Sequence, residues 1–157
     1  MATTNAATTF LENRLLSYIF KGNAASFSSP GDGLYVGLAT AVSNFNNSTG
    51  ETDEPTITEA TFGAYARQQV AASAWTLTSD TTEAQTVKNT SNIEFPASTG
   101  TSNTITHVFV ATHVDASLDT EGSGGNVLFI GTLDASKVIA TGDIFRINAT
   151  NLTIELK

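Results

Sequence analysis

The stretch 104–112, TITHVFVAT, places apolar residues on both faces of a predicted β-strand. Side chains alternate between the two faces of a strand, so Ile105 and Phe109 share one face. Val108 and Val110 then lie on the opposite face. A strand that is apolar on both faces lies inside a sheet that is covered on each side. The pattern therefore predicts a central strand here and two covering layers formed by other parts of the chain.

An amphipathic α-helix is predicted over residues 9–22, TFLENRLLSYIFKG. Thr9 and Glu12 have the spacing of a capping box, in which each side chain accepts a hydrogen bond from the other residue's amide. Lys21 and Gly22 favour a helix end, because a cation and a left-handed residue both suit the last turn. Large apolar residues form a broad face, and those predicted to form an interface are Phe10, Leu11, Leu15, Tyr18, Ile19 and Phe20. We expect this helix to cover one side of the sheet or to pack on a neighbouring subunit.

The rest of the chain consists mainly of short extended runs separated by turn residues. Further strands are predicted at 34–40, 65–70, 74–78, 92–95, 126–133, 137–140, 143–148 and 151–156. A turn at Thr141 and Gly142 is predicted to join 137–140 to 143–148. The side chains expected to point inward from the strands at 74–78 and 151–156 are Trp75, Leu77, Leu152, Ile154 and Leu156. Many short strands with regular turn signals are typical of two packed antiparallel sheets. The sequence therefore predicts an all-β fold, an antiparallel β-sandwich or jelly roll with one N-terminal α-helix.

The chain length of 157 residues suits a single domain. Within it we expect a flexible arm at 1–8, the helix at 9–22 and the β-sandwich at 34–156. The segment 41–63 is polar and contains four acidic residues but no Lys or Arg. A patternless segment of that length inside a domain is commonly functional. We therefore predict a protruding contact loop there.

The charge balance limits the partners that the surface suits. Seven basic and 15 acidic residues give a formal charge of −8, which repels phosphate backbones, so direct nucleic-acid binding is not expected. The chain has no cysteine, which excludes disulfides and fits a reducing compartment. No apolar run approaches the roughly 20 residues of a membrane span, and no signal peptide is recognisable. We expect a soluble product of the cytosol without a membrane partner.

No arrangement of side chains predicts catalysis, a cofactor or a metal. His107 and His113 are six residues apart, about 20 Å in an unbroken strand, which is too far to share a metal ion. The carboxylates of segment 115–122 suggest calcium only loosely, and a solvated acidic loop is the better interpretation. Tyr65 and Arg67 share a strand face and form a hypothetical polar contact patch, the alternative being that Arg67 is an ordinary outward residue.

The order of these parts resembles a known family. A capped helix FLENRLLSYIFKG is followed by LYVGLAT, an acidic loop, YARQQV, a Trp strand, IEFP, THVFV, NVLFIGTL and NLTIEL. This order is similar to small virion proteins of tailed bacteriophages, described as tail-fibre-like or minor structural proteins, with β-sandwich relatives that decorate or cement capsids. The resemblance extends from Thr9 to Leu156. It implies a non-enzymatic protein located in the virion.

Four functions follow from these observations. The first is a capsid decoration or cement protein that forms a homo-oligomer and contacts the major capsid protein or other virion proteins. The second is a tail, neck or fibre-attachment protein. The third is a carbohydrate-binding module in which Trp75 or Tyr35 stacks on sugars. The fourth and most remote is a hydrolytic enzyme that uses one of the two histidines.

Overall fold

A computed structural model describes residues 6–22, 33–43, 56–78, 85–113 and 127–156. These ranges contain one α-helix, α1 (Thr9–Lys21), and a single 3₁₀ turn at Ala72–Ala74. Their strands are β1 (Ala6–Ala7), β2 (Leu34–Ser43), β3 (Thr56–Glu59), β4 (Gln68–Val70), β5 (Trp75–Thr78), β6 (Gln85–Asn89), β7 (Ile93–Glu94), β8 (Asn103–Ala111), β9 (Val127–Ile139), β10 (Arg146–Ile147) and β11 (Thr153–Leu156).

The largest sheet has the strand order β1-β9-β8-β2-β3, and β4 also pairs with β2. The outer edge of β2 is therefore shared, because β4 pairs with its first residues and β3 with its last. A second sheet has the order β11-β6-β5, and β7 pairs with β10 as a third. Every pairing among the described strands is antiparallel. The prediction of an all-β antiparallel sandwich with one N-terminal helix is confirmed.

Strand β8 lies in the interior of the large sheet, as its sequence predicted, between β2 and β9. The face carrying Val108 and Val110 belongs to a main core, which also contains Phe95 and Phe145 from the smaller sheets and their turns. Phe109 belongs to a second cluster on the other face. Both faces of β8 are therefore covered.

One detail of the predicted alternation in β8 is wrong. Ile105 lies in the main core with Val108 and Val110 and not with Phe109. The cause is an irregular register with β9, in which Ile105 pairs with Lys137 but His107 pairs with Thr132. Residues 133–136 of β9 thus lie opposite a single residue of β8, and an insertion of this kind disrupts the alternation of side chains.

Two further predicted strand boundaries, in and after β9, are wrong. The predicted strands 126–133 and 137–140 are one strand, β9, and within 143–148 only Arg146–Ile147 is extended and paired. The turn predicted between them is present, because the Asp143 amide donates to the Ala140 carbonyl and Gly142 has a φ of 90°. The turn at Gly142 follows from a few local residues, whereas the continuity of β9 depends on its irregular pairing with β8.

The predicted contact loop 41–63 is partly ordered sheet. Its first residues complete β2, and Thr56–Glu59 forms β3 against them. Ile57 packs on the second cluster, while Ala60 and Phe62 are buried in the main core. Residues 44–55 lie outside the described part of the chain. Strand β3 was not predicted, because its threonines are polar and its alternation of apolar and polar residues is therefore weak.

Three other strand predictions need correction. Within the predicted strand 65–70 only Gln68–Val70 is strand, so Tyr65 and Arg67 precede β4 and do not lie on a strand face. Strand β6 was not predicted, although it is the middle strand of its sheet. Leu77 of β5 was expected to point inward but is 65% exposed, whereas Trp75 of the same strand packs against the main core. In the closing strand the prediction is confirmed for Leu152 and Ile154, which pack on the main core. The side chain of Leu156 lies outside the described part.

Candidate functional site

Helix α1 is fixed to the edge of the large sheet through its first residues. Strand β1 pairs with β9, and the Thr8 amide then donates to the Leu128 carbonyl at 3.0 Å. The buried Thr8 hydroxyl donates to the Val127 carbonyl at 2.6 Å. These bonds attach the N-terminus of the helix to a central element of the fold.

The same residue caps the helix. The Thr8 hydroxyl accepts from the Leu11 amide at 3.4 Å, and the Thr8 carbonyl accepts from the Glu12 amide at 3.1 Å. The predicted capping box at Thr9 is therefore wrong by one residue, because Thr9 is already helical. The predicted flexible arm 1–8 is also corrected for Ala6 to Thr8, while residues 1–5 lie outside the described part. Gly22 has a φ of 64°, as predicted for the helix end.

The apolar face of α1 is largely in solvent. Its large residues are exposed as follows: Leu15 42%, Leu16 53%, Tyr18 58%, Ile19 58% and Phe20 78%. Leu11 is half-buried, and the side chain of Phe10 is outside the described part. The expectation that this helix covers a face of its own sheet is therefore not met by these side chains. The other predicted arrangement, packing on a neighbouring subunit, stays a prediction.

Tyr65 and Arg67, the other two residues predicted to form an interface, are joined in a network with Glu59. The Arg67 guanidinium donates to both carboxylate oxygens of Glu59, through Nε at 2.8 Å and Nη2 at 2.7 Å. The Tyr65 hydroxyl donates to Glu59 Oε1 at 2.7 Å and accepts from the Leu38 amide at 2.9 Å. Arg67 Nη1 donates to the His113 carbonyl at 2.8 Å.

This network fills the gap that β3 and β4 leave along the edge of β2. It satisfies the Leu38 amide there, while the Leu38 carbonyl accepts from the Ala60 amide at 2.9 Å. Arg67 is only 6% exposed and its guanidinium lies 5.5 Å from the centre of the Phe109 ring. The alternative interpretation of Arg67 as an outward residue is therefore wrong. Its contacts are structural ones within the chain.

Electrostatics support a structural role for the tyrosine. Burial raises the pKa of Tyr65 well above its ordinary value, and the hydrogen bond to the Glu59 carboxylate adds to the increase. The hydroxyl is thus held in its neutral form, which can donate to Glu59 and accept from the backbone at the same time. A phenol held in this way is neither a nucleophile nor a general base at neutral pH.

Asn89 is a structural residue that the sequence analysis did not identify. It is 1% exposed, and its side-chain amide donates to the carbonyls of Ser91 and Asn148. Its side-chain oxygen accepts from the Leu152 amide at 2.9 Å, and its carbonyl accepts from the Thr150 amide at 2.8 Å. Asn89 therefore holds the turn before β11. Only its place in an Asn-rich, turn-forming segment could have suggested this.

The residues considered for metal or sugar binding are placed as follows. Within the described ranges, no group of three or more His, Asp or Glu side chains could hold a metal ion. The acidic segment 115–122 lies outside those ranges. Trp75 is half-buried and packs against the main core with its indole nitrogen buried. Tyr35 is half-buried in β2.

Comparison with models of protein families gives a match over most of the chain. The family model described as "Podophage GP4 fiber I protein gp80" matches residues 6–155. No curated protein matches the chain. Of the helices in the described part, none is long and apolar enough to cross a membrane. Because the match spans almost the whole length, the chain belongs to this fibre-protein family of the tailed-phage virion, as its sequence resemblance predicted.

Proposed function

We propose that this protein is a non-enzymatic structural subunit of the phage fibre, and that it works as one domain. The observation that carries the proposal is the family match over residues 6–155, whose description names a fibre protein. The network of Glu59, Tyr65 and Arg67 supports it, because its charged groups are paired with one another and with backbone rather than left free for a substrate.

The interface of the subunit is the exposed apolar face of α1. Large apolar side chains that remain exposed together, beside a rigid body, are typical of surfaces that bind other proteins. Thr8 holds the start of the helix on β9, so the face has a defined position relative to the sandwich. Tyr65 and Arg67 contribute indirectly, by holding the edge of β2, and the other virion proteins are the partners.

Capsid decoration, our first hypothesis from the sequence, is the competing function. The fibre description of the family favours a position on the tail over one on the shell. Copy number distinguishes the two, because a shell protein is present in hundreds of copies and a fibre protein in a handful to dozens.

The test is quantitative mass spectrometry of purified virions, with the major capsid protein as the internal standard. We expect a low ratio of this protein to the capsid protein, and gold-labelled antibodies against it should mark the tail region. A ratio near that of the capsid protein, with label over the head, would establish decoration instead. Absence from washed virions would contradict both functions.

A further inference from the structure

Helix α1 projects from the part of the sandwich that holds it. Its start is attached to β9 through Thr8, and Leu11 in the first turn is half-buried. The exposed fraction of the large apolar side chains then rises along the helix, from 42% at Leu15 to 78% at Phe20 in the last turn. The end of the helix therefore stands clear of the described part of the chain, and another protein can enclose it.

Beyond its first turn, α1 carries exposed apolar side chains around more than half of its circumference. Successive residues are about 100° apart around a helix axis, so the exposed apolar arc covers roughly 200°. A helix that packs on one surface needs an apolar stripe of only about 100°. The polar residues past the first turn, at positions 13, 14, 17 and 21, form the remaining stripe. In their order around the axis, the residues of the arc are Tyr18, Leu15, Ile19, Leu16 and Phe20.

The length of α1 argues against a bundle formed by copies of the same helix. It has 13 residues, fewer than two heptads, whereas a coiled coil is indicated by roughly three to four heptads. A single second helix would also cover only the stripe that faces it. Leu16 and Tyr18 lie about 160° apart around the axis, so one of them would stay in water. A concave surface covers both sides of the helix at once.

From these observations we propose that α1 inserts into an apolar groove on a different protein of the virion, with its polar stripe on the open side of the groove. Amphipathic helices that bind in grooves have apolar anchors three and four residues apart. Leu11, Leu15 and Tyr18 have this spacing. The inference rests on the proposed function of α1 as an interface and adds the shape and chemistry of its partner.

Thiol labelling on two sides of the helix tests the groove. Because the chain has no cysteine, Leu16→Cys and Tyr18→Cys each introduce a single thiol, at well-separated points of the exposed arc. Leu77→Cys is the matched control, since Leu77 is similarly exposed but lies on β5. Each variant is labelled with a small maleimide, both as free protein and in purified virions, and mass spectrometry of its peptides gives the labelling rates.

We expect fast labelling at all three positions in the free protein. In virions, labelling at both helix positions should slow by at least about 10-fold, because a covered site reacts only when it opens locally, while Leu77→Cys keeps its rate. Protection at only one helix position would mean that a flat surface covers one side, which overturns the proposal. Joining of two copies in virions by a short bis-maleimide through Leu16→Cys or Tyr18→Cys would show that copies of this chain cover the helix, and it overturns the proposal as well.

Failure of this inference differs from failure of the proposed function. If Leu15→Glu/Ile19→Glu prevents incorporation into virions but only one of the two thiols is protected there, α1 is an interface with a flat partner surface. The groove inference is then wrong, while the proposed function holds. If the double variant is incorporated normally and neither thiol is protected, the interface assigned to α1 is wrong too.

Discussion

Helix α1 and strand β8 both carry large apolar side chains at close spacing, but the fold places them in opposite environments. In β8 Phe109 is 1% exposed and Ile105 is fully buried, because strands pair with both edges and side chains cover both faces. In α1 Phe20 is 78% exposed, because the helix is attached at its first residues and turns much of its apolar face outward. Apolar content alone therefore predicts that a segment becomes buried, without indicating whether its own chain or another one buries it.

Replacing a phenylalanine in each element gives the largest expected contrast. Phe109→Ala should lower the free energy of unfolding by about 3–5 kcal/mol, because it opens a cavity in the centre of the sheet. The ring also lies directly against Gly37, which has no side chain to fill the space. Phe20→Ala should change stability by less than about 0.5 kcal/mol in the monomer. Urea denaturation of both variants measures the difference, and similar losses would mean that α1 is buried within its own chain.

The next contrast compares two arginine ion pairs. Arg67→Ala should cost about 3 kcal/mol, since it removes the buried guanidinium that pairs with the Glu59 carboxylate and donates to the His113 carbonyl. This is the lower end for a buried pair, because the Glu59 side chain retains 25% exposure. Arg146→Ala breaks a pair in which both side chains are about half exposed, and should cost less than about 1 kcal/mol. Equal urea midpoints for the two variants would show that the Arg67 network does not stabilise the fold.

Replacing Asn89 and Asn92 in turn compares a buried hydrogen-bonding side chain with an exposed one. Asn89→Ala removes a donor and an acceptor from a buried site and should cost about 2–3 kcal/mol. Asn92 accepts from the Ala149 amide in an exposed position, so Asn92→Ala should cost about 1 kcal/mol or less. Thermal unfolding at equal protein concentration gives both values. A larger loss at Asn92 would contradict the role assigned to Asn89.

The smallest expected effect is a pH dependence from His107. Burial lowers the pKa of His107, so the folded chain binds fewer protons than the unfolded chain near the ordinary histidine value of about 6.5. Stability should therefore fall as the pH decreases through that value and recover as it rises. His107→Gln should remove this part of the pH dependence, which urea titrations from neutral to mildly acidic pH can detect. If the free energy of unfolding changes by the same amount between neutral and mildly acidic pH in His107→Gln as in the wild type, His107 does not contribute to the pH dependence.

The sequence predicted those parts of the fold that depend on local patterns. The end of α1 at Gly22, the interior position of β8 and the turn at Gly142 each follow from a few consecutive residues. Strand β6 was missed because QTVKN has little apolar character, and β3 was missed because threonines conceal its alternation. The irregular register of β9 could not be predicted, since it depends on how β8 and β9 align with each other in the sheet.

The candidate site was predictable in its composition but not in its environment. The sequence identified the apolar residues of α1, yet whether they face their own sheet depends on tertiary packing. It also identified Tyr65 and Arg67, but their partner Glu59 lies across a turn and their other contacts are to Leu38 and His113. Contacts between residues that are distant in the chain determined which of these side chains are structural and which are left for a partner.

Incorporation into virions tests the central claim most directly. Phages encoding Leu15→Glu/Ile19→Glu, and phages encoding the control Leu77→Glu, would be purified and the protein quantified against the major capsid protein. We predict that the double variant unfolds at the wild-type urea concentration but is depleted from virions, while the control is incorporated normally. Normal incorporation of the double variant would contradict the account, because the exposed face of α1 would then not be the contact that places this subunit in the particle.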